Sequence, residues 1–174
     1  MKLDEVDRSN TRPTTDRNKE TLFNILGQYF SGGEALDLFA GSGALGIEAL
    51  SRGMDRCTFV DNGTVAVKTI KYNTDKLNLH TQVSIIKEDV FQYLGQGKDL
   101  PYQLILVDPP YIFSEYDSLV DQIDKTNLLA KTGTLVIETE KSTNLLQTYG
   151  RIERIKERIS GITKFSFYQF KEDE

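Results

Sequence analysis

The segment Asp108-Pro109-Pro110-Tyr111 carries the sharpest chemical signal in the chain. A proline after Asp108 favours an extended backbone at that aspartate, and neither proline has an N–H to donate. The corner is therefore rigid and rich in acceptors. The Asp108 carboxylate and the Pro109 carbonyl can both accept hydrogens from one amino group, while the Tyr111 ring can stack on a flat base. The segment predicts a site that holds an exocyclic base amine and aims its lone pair at a methyl donor, so that positioning supplies much of the rate.

A structural turn that simply ends a strand is the alternative for this corner. The run Gln103 to Val107 before it is apolar, as in a strand buried in a parallel sheet. Ligands of open α/β sheets bind outside the carboxyl ends of such strands. The position of the corner therefore favours the functional interpretation.

A second chemical signal is the segment Gly41-Ser42-Gly43-Ala44-Leu45-Gly46, which matches G-x-G-x-x-G. Asp61 follows Gly41 by 20 residues, at the end of the next predicted strand. In nucleoside-binding sites such glycines let the backbone approach the ligand, a helix N-terminus offers N–H groups, and the acid accepts ribose hydroxyls. The spacing predicts a nucleoside-containing cofactor, and a tight strand-to-helix turn is the alternative.

The residues around the glycines indicate which cofactor this is. Asp37 and Phe39 precede the glycines, and a third acid, Asp89, follows the third predicted strand. An S-adenosylmethionine pocket needs an acceptor near the methionine ammonium, a carboxylate on the ribose and an acceptor for the adenine amine, and Asp37, Asp61 and Asp89 can fill that pattern. Acids attract the sulfonium and ammonium cations and disfavour a pyrophosphate. For Asp89, a helix N-cap is the alternative.

Alternating strands and helices must bring these residues together. The apolar spacing predicts a leading helix over 16–30, and then helices between strands at 35–39, 57–60, 83–86, 103–107 and 134–137. This order predicts a doubly wound α/β sheet with right-handed crossovers, in one domain over 1–174 with 1–15 as an N-terminal extension. Two segments around Ser160-Gly161, 152–159 and 163–170, predict an antiparallel hairpin, although Ile152, Ile155 and Ile159 also have helical spacing.

The composition excludes several classes of function. The 174 residues carry a net charge of −5, which argues against bulk electrostatic affinity for nucleic acid. The chain has one cysteine, Cys57, and one histidine, His80, so we expect neither a metal site nor a Ser/His/Asp triad. We predict that Cys57 is buried and that His80 is a surface or helix-capping residue. No apolar run approaches the roughly 20 residues of a membrane helix and no leader is visible, so we expect a cytoplasmic protein.

Four segments together resemble the bacterial small-subunit ribosomal RNA guanine-N2 methyltransferases of the RsmD type. The segments are Arg12 to Arg17, Thr21 to Asn24, Leu36 to Gly53 and Asp108 to Tyr111. The Asp-Pro-Pro-Tyr sequence alone is shared with DNA adenine-N6 methyltransferases. Its combination with Arg12-Pro13-Thr14 and with this glycine motif is more specific, and the resemblance covers nearly the whole chain.

The resemblance implies a Rossmann-like class I methyltransferase with a seven-stranded, mostly parallel sheet whose last two strands form the hairpin. It implies S-adenosylmethionine as donor and a guanine of 16S ribosomal RNA, within the small ribosomal subunit, as acceptor. The residues expected at the cofactor are Asp37, Phe39, Ala40, Gly41, Ser42, Gly43, Asp61, Asn62, Asp89 and Val90. The expected catalytic residues are Asp108, Pro109, Pro110 and Tyr111, and those expected beside the substrate are Arg12, Thr14, Arg17 and Tyr111.

The start of the chain departs from the family pattern. Family members usually have a basic segment before Arg-Pro-Thr, whereas residues 1–11 carry two basic side chains against three acidic ones. We interpret this as a truncation or a late start, which bears on RNA affinity. The hairpin offers a compensating surface, because residues 150–171 carry six basic side chains against two acidic ones, and a solvated strand face is the alternative.

Three other functions remain open from the sequence. The first is amino methylation of DNA, against which a chain of 174 residues leaves little room for a separate recognition domain. The second is a nicotinamide-dependent oxidoreductase, which G-x-G-x-x-G alone would suggest. The third is a non-catalytic RNA-binding module, which the intact Asp108 to Tyr111 corner disfavours.

Overall fold

The computed structural model describes residues 16–27, 29–96 and 101–172. Within these ranges five helices alternate with strands in the first part of the chain, and three strands follow one another at its end. The helices are α1 (Asp16–Leu26), α2 (Ala44–Ser51), α3 (Thr64–Lys76), α4 (Val90–Gly95) and α5 (Tyr116–Lys125). The strands are β1 (Glu34–Leu38), β2 (Arg56–Asp61), β3 (Val83–Lys87), β4 (Tyr102–Val107), β5 (Leu129–Glu140), β6 (Thr148–Tyr149), β7 (Ile152–Ser160) and β8 (Thr163–Phe170).

The strands form a doubly wound sheet in the order β3-β2-β1-β4-β5-β8-β7-β6. The first five strands in that order pair in parallel, and β8, β7 and β6 add antiparallel pairings. The chain runs outward from β1 to β3 and then returns to β4, so the switch in strand order lies between β1 and β4. This confirms the predicted fold, and ligands of open α/β sheets bind outside the carboxyl ends of the two strands at such a switch.

The sheet separates two apolar clusters. One lies under α4 and α5 and includes Leu36, Leu38 and Val107, and the other lies under α1, α2 and α3 and includes Ala35 and Leu106. Both faces of the central strands are therefore buried, which explains the nearly continuous apolar sequence of β4. The alternation also fixes side-chain direction, because a residue next to Leu36 or Leu38 in β1 points toward α2.

The sheet has eight strands rather than the expected seven. The additional strand, β6, contains two residues and pairs with the start of β7 through Thr148 with Glu153 and Tyr149 with Ile152. Two residues are too few for an alternating pattern to appear in the sequence. The predicted hairpin itself is confirmed.

The leading helix is shorter than the predicted range 16–30. It ends at Leu26, and Gly27 adopts a φ of 111° while its N–H donates to the Phe23 carbonyl, which is a glycine C-cap. Tyr29 is 81% exposed rather than part of the apolar helix face. A glycine cap therefore overrides an apolar spacing that continues past it.

The helical spacing of Ile152, Ile155 and Ile159 does not produce a helix. The segment is strand β7, which pairs with β8 from Ile152 opposite Phe170 to Ser160 opposite Thr163, with an irregularity at Ile155. Ile152 is buried, whereas Ile155 and Ile159 are exposed. Long-range pairing with β8 decides the conformation here.

Candidate active site

Acidic residues from neighbouring strands gather at the carboxyl edge of the sheet. Asp61 ends β2, Asp37 lies near the end of β1, and Asp108 directly follows β4. Asp37 and Asp61 point toward α2 because their neighbours Leu38 and Val60 pack on the other face. Burial raises the pKa of Asp37 well above its ordinary value, and the negative charges of Asp108 and Asp61 raise that pKa further. The structure therefore brings together the three acids that the sequence placed on three different strands.

Two of these carboxylates hold the glycine turn in place. Asp37 Oδ2 accepts the Gly46 N–H at 3.0 Å, which ties the start of α2 to β1. Asp61 Oδ2 accepts the Gly41 N–H at 3.0 Å, and its Oδ1 accepts the Gly63 N–H at 2.8 Å. The sequence predicted ligand contacts for Asp37 and Asp61, and the structure shows that both carboxylates also shape the turn.

The glycines of the turn have different physical roles. Gly41 and Gly43 have φ values of 59° and 82°, in the left-handed region where a side chain is unfavourable. A Cβ on Gly41 would meet nothing within 4 Å among the described atoms, so this turn borders open space. A Cβ on Gly46 would instead overlap the Phe59 ring and lie 2.7 Å from Cys57 Sγ. Gly46 allows α2 to pack closely on β2.

Gly46→Ala is expected to destabilise the fold. Phe59 and Cys57 are fully buried and cannot move aside easily, so overpacking should lower the free energy of unfolding by about 1–3 kcal/mol. Urea denaturation measures this change. Gly95→Ala is the matched control, because a Cβ there meets nothing within 4 Å and lies at the end of helix α4. Equal stabilities for the two variants would contradict the packing role of Gly46.

Asp37 should make the free energy of unfolding depend on pH. Its folded pKa is raised above the ordinary value of 3.8, so the folded state holds a proton that the unfolded state releases. The free energy of unfolding therefore falls as the pH rises from the ordinary pKa of 3.8 to the raised pKa of the folded state, and the loss is complete above the raised pKa. Asp37→Asn removes this loss and should gain more stability over the wild type at pH 8 than at pH 4. A gain that is the same at both pH values would contradict the prediction.

The Asp108 to Tyr111 corner runs into a turn at the same edge that is closed between Pro110 and Phe113. The Phe113 N–H donates to the Pro110 carbonyl at 2.9 Å. Asp108 is half-buried and Pro109 is buried, whereas Tyr111 is 53% exposed and Ile112 is 74% exposed. The two acceptor residues of the corner are therefore more buried than Tyr111, and a large part of the tyrosine side chain is exposed.

Asp89, the remaining acid that the sequence predicted at the cofactor, caps a helix. Its Oδ2 accepts the Gln92 N–H at 3.2 Å at the start of α4, and the residue is exposed. Val90 is buried in the core cluster beneath α4, and Asn62 is exposed directly after Asp61. The capping interpretation of Asp89 is thus confirmed as a contact, while contacts of Asp89, Val90 and Asn62 with a cofactor stay predictions.

Helix α1 begins beside the tip of the hairpin. Asn18 Nδ2 donates to Thr163 Oγ1 at 3.3 Å, and Ser160 Oγ donates to Asn18 Oδ1 at 3.0 Å. Thr163 pairs with Glu140 at the carboxyl end of β5, so the exposed Arg17 lies at the same edge of the sheet as Asp108. Arg12 and Thr14 lie outside the described residues.

The basic residues of the hairpin fall into two groups. Arg151 pairs with Asp124, and Arg154 and Lys164 both pair with Glu157. Lys156, Arg158 and Lys171 are exposed. Three of the six basic side chains therefore form ion pairs within the protein, and the other three are exposed. An RNA-binding surface and a solvated strand face both stay open as interpretations of those three.

Sequence reasoning missed a fourth acid at this edge. Glu138 is 3% exposed in β5, and the pairing of Val107 with Ile137 places it beside Asp108. Its neighbour Ile137 packs under α5, so Glu138 points to the same face as Asp37. The signal was available, since an acid follows the apolar run 135–137 as Asp108 follows the run in β4.

The remaining sequence predictions concern metals, cysteine and membranes. Among the described residues, no group of three or more His, Cys, Asp or Glu side chains is placed to hold a metal ion. Cys57 is buried, as predicted, and burial raises the pKa of its thiol. His80 is exposed, also as predicted. In the described part of the chain, every helix is too short or too polar to cross a membrane.

Comparison with known proteins identifies the family. The family model described as conserved hypothetical protein 95 matches residues 1–169. The chain belongs to this family, the RsmD family of methyltransferases.

The sequence of this RsmD family member aligns with named relatives over most of their lengths. It is 38% identical over 169 residues to "Putative rRNA methyltransferase YlbH" of Bacillus subtilis, covering 96% of this chain and 92% of that protein. It is 34% identical over 170 residues to "Ribosomal RNA small subunit methyltransferase D" of Haemophilus influenzae, covering 97% and 88%.

Solved structures show the same fold. A conserved hypothetical protein from Streptococcus pyogenes superposes with a TM-score of 0.84 at 31% identity, covering 88% of this chain and 95% of that one. A structure described as a putative methyltransferase complexed with SAH has a TM-score of 0.70 at 17% identity, covering 86% of this chain and 48% of that one. The second likeness concerns the fold alone.

Proposed function

We propose that this protein transfers a methyl group from S-adenosylmethionine to the exocyclic N2 amine of a guanine in 16S ribosomal RNA. The observation that carries the proposal is the meeting of the glycine turn and the Asp108 to Tyr111 corner at one edge of the sheet, beside the switch point between β1 and β4. The curated relatives named as ribosomal RNA methyltransferases support the choice of substrate. The proposal places the enzyme in the cytoplasm with the small ribosomal subunit.

The residues present fit S-adenosylmethionine. Gly41 borders open space at the end of β1, so a ligand can approach the backbone closely there. The negative charges of Asp61 and Asp108, which act on Asp37, give this crevice a negative potential that suits a cationic cofactor. A structural neighbour with this fold is complexed with SAH, which supports the choice of cofactor.

Each part of the cofactor has proposed partners. The methionine end would lie along Asp37, Phe39, Ala40, Gly41, Ser42 and Gly43, the ribose against Asp61 and Asn62, and the adenine against Asp89 and Val90. When bound, S-adenosylmethionine supplies an electrophilic methyl group. The protein contributes orientation, and no metal ion is invoked.

The base would be held by the catalytic corner. One amine hydrogen would be donated to the Asp108 carboxylate and the other to the Pro109 carbonyl, while the base stacks on Tyr111. Fixing both N–H bonds favours a pyramidal nitrogen and turns its lone pair toward the methyl donor. Asp108 or water would then accept the proton that the amine loses after transfer. The base must first leave its stack, as in other enzymes that act on bases.

Calorimetric titration with S-adenosylmethionine and, separately, with NAD tests the cofactor. We expect saturable binding of S-adenosylmethionine and none of NAD. Gly41→Val should remove this binding, because its side chain would occupy the open space at the turn. Gly161→Val is the matched control, since Gly161 has a φ of 63° and also meets nothing within 4 Å. Binding of NAD instead would contradict the proposal.

A further inference from the structure

Four aromatic rings from three segments of the chain pack together at the carboxyl edge of the sheet. Phe113 makes an edge contact with Phe39 and another with Tyr116, each with ring centroids 5.0 Å apart. The Phe113 ring also lies roughly parallel to Phe91, with centroids 6.4 Å apart and an interplanar angle of 25°. We call Phe39, Phe91, Phe113 and Tyr116 the aromatic cluster. Phe113 is the member that contacts the other three.

The members of the cluster belong to the parts of the proposed site. Phe39 directly precedes Ala40 and the glycine turn, and Phe91 directly follows Asp89 and Val90. Phe113 closes the catalytic corner, because its N–H donates to the Pro110 carbonyl. One ring thus joins the two proposed cofactor-binding segments to the segment that would hold the base.

Phe39 reaches Phe113 through an unusual backbone conformation. Strict alternation along β1 would point Phe39 toward α2, like Asp37. Its φ of 59° ends the strand, and its ring packs instead against the cluster under α4 and α5. A bulky residue in the left-handed region is strained, and such strain persists only where surrounding contacts hold it. The contact with Phe113 is one that holds it.

We infer that Phe113 is a positioning residue that couples occupancy of the cofactor site to the conformation of the Asp108 to Tyr111 corner. The inference rests on the proposed function for its kinetic consequence, but the coupling itself concerns the cofactor alone. A ligand that fixes Phe39 and Phe91 fixes two contacts of the Phe113 ring, and Phe113 is joined to the corner by its hydrogen bond to Pro110. By reciprocity, a fixed corner favours the cofactor-bound arrangement of Phe39 and Phe91.

Hydrogen exchange of the residue-113 amide, with SAH as the probe, tests the coupling without any RNA. This amide closes the corner through Pro110, so its exchange reports whether the corner opens. In the wild type, saturating SAH should slow its exchange by about tenfold. In Phe113→Leu the slowing should fall below about threefold, and Phe113→Tyr, which keeps the ring, should restore it.

Methyl transfer gives a second readout. For Phe113→Leu, kcat on unmethylated small ribosomal subunits should fall by roughly 10- to 100-fold, because a misplaced corner misaligns the amine. The KM for the subunits should change by less than about threefold, since Tyr111 and the exposed surface remain. Phe113→Tyr should recover most of kcat.

Phe30→Leu is the matched control. Phe30 makes an edge contact with Phe23 at a centroid distance of 6.4 Å and lies just before β1, at the opposite edge of the sheet. Both substitutions remove a half-buried ring, so both should lower the free energy of unfolding. Only Phe113→Leu should lose the SAH-dependent protection and kcat.

The two proposals fail in different ways. If Phe113→Leu binds SAH and keeps the full protection at residue 113, the coupling is wrong whatever the substrate. If the protection behaves as expected but the wild type transfers no methyl group to small subunits, the proposed function is wrong and the coupling stands.

Discussion

Replacing Asp108 with alanine is expected to lower kcat for methyl transfer by about 10³-fold or more. The substitution removes the carboxylate that would orient the amine and that is able to accept its proton. Asp108 directly follows β4 and lies close enough to Asp37 for its charge to act there, and in the proposed complex its carboxylate contacts the reacting amine. The affinity for S-adenosylmethionine should change little, because the proposed cofactor contacts lie on β1 and the glycine turn, at the end of β2 and at the start of α4. Single-turnover kinetics and calorimetry measure the two quantities separately.

Two further variants sharpen this test. Asp108→Asn keeps the shape and one acceptor oxygen but loses the charge, so it should retain more activity than Asp108→Ala if orientation dominates. Asp121→Ala removes an exposed carboxylate on α5 and should behave as the wild type. Turnover by Asp108→Ala within about tenfold of the wild type would remove Asp108 from the catalytic residues.

Replacing Asp61 with alanine should have the second largest effect. It removes the acceptor of both the Gly41 and the Gly63 N–H groups, and with them the proposed partner of the ribose. Hydrogen bonds to a charged group contribute about 1.5–3 kcal/mol each, so we expect a loss of about 3 kcal/mol in the free energy of unfolding. The dissociation constant of S-adenosylmethionine should rise by about 100-fold, since both the turn and a direct contact are affected.

Asp55→Ala separates these two effects. Asp55 also accepts a glycine N–H, from Gly33 at 2.9 Å, but at the amino-terminal edge of the sheet. Its loss should lower stability by about 1 kcal/mol and leave cofactor affinity unchanged. Equal cofactor affinities for Asp61→Ala and Asp55→Ala would contradict a role of Asp61 in cofactor binding.

Much of the fold follows from local sequence patterns. Short apolar runs predict the buried strands, and the spacing of the residues alone predicts the glycine turn and Asp61. The closeness of Asp37, Asp61 and Asp108 could also be predicted, because parallel strands carry their carboxyl ends to one edge. These features depend on alternation, burial and turn chemistry, which neighbouring residues determine.

The features that sequence reasoning missed depend on distant contacts. β7 is a strand because β8 pairs with it, although its isoleucines have helical spacing. The aromatic cluster joins residues 39, 91, 113 and 116, and a left-handed Phe39 makes it possible. Nothing in the local sequence around Phe39 indicates that its ring turns to the opposite face of the sheet. The same holds for the hydrogen bonds that join Asn18 to the hairpin tip.

Transfer of labelled methyl from S-adenosylmethionine to unmethylated small ribosomal subunits, with the product nucleoside identified by mass spectrometry, tests the central claim most directly. We expect label in 16S ribosomal RNA as N2-methylguanosine, and no label with Asp108→Ala under the same conditions. Label in N6-methyladenosine, or in DNA supplied in place of the subunits, would contradict the proposed acceptor. Absence of transfer by a preparation that binds S-adenosylmethionine would contradict the proposed reaction on this substrate.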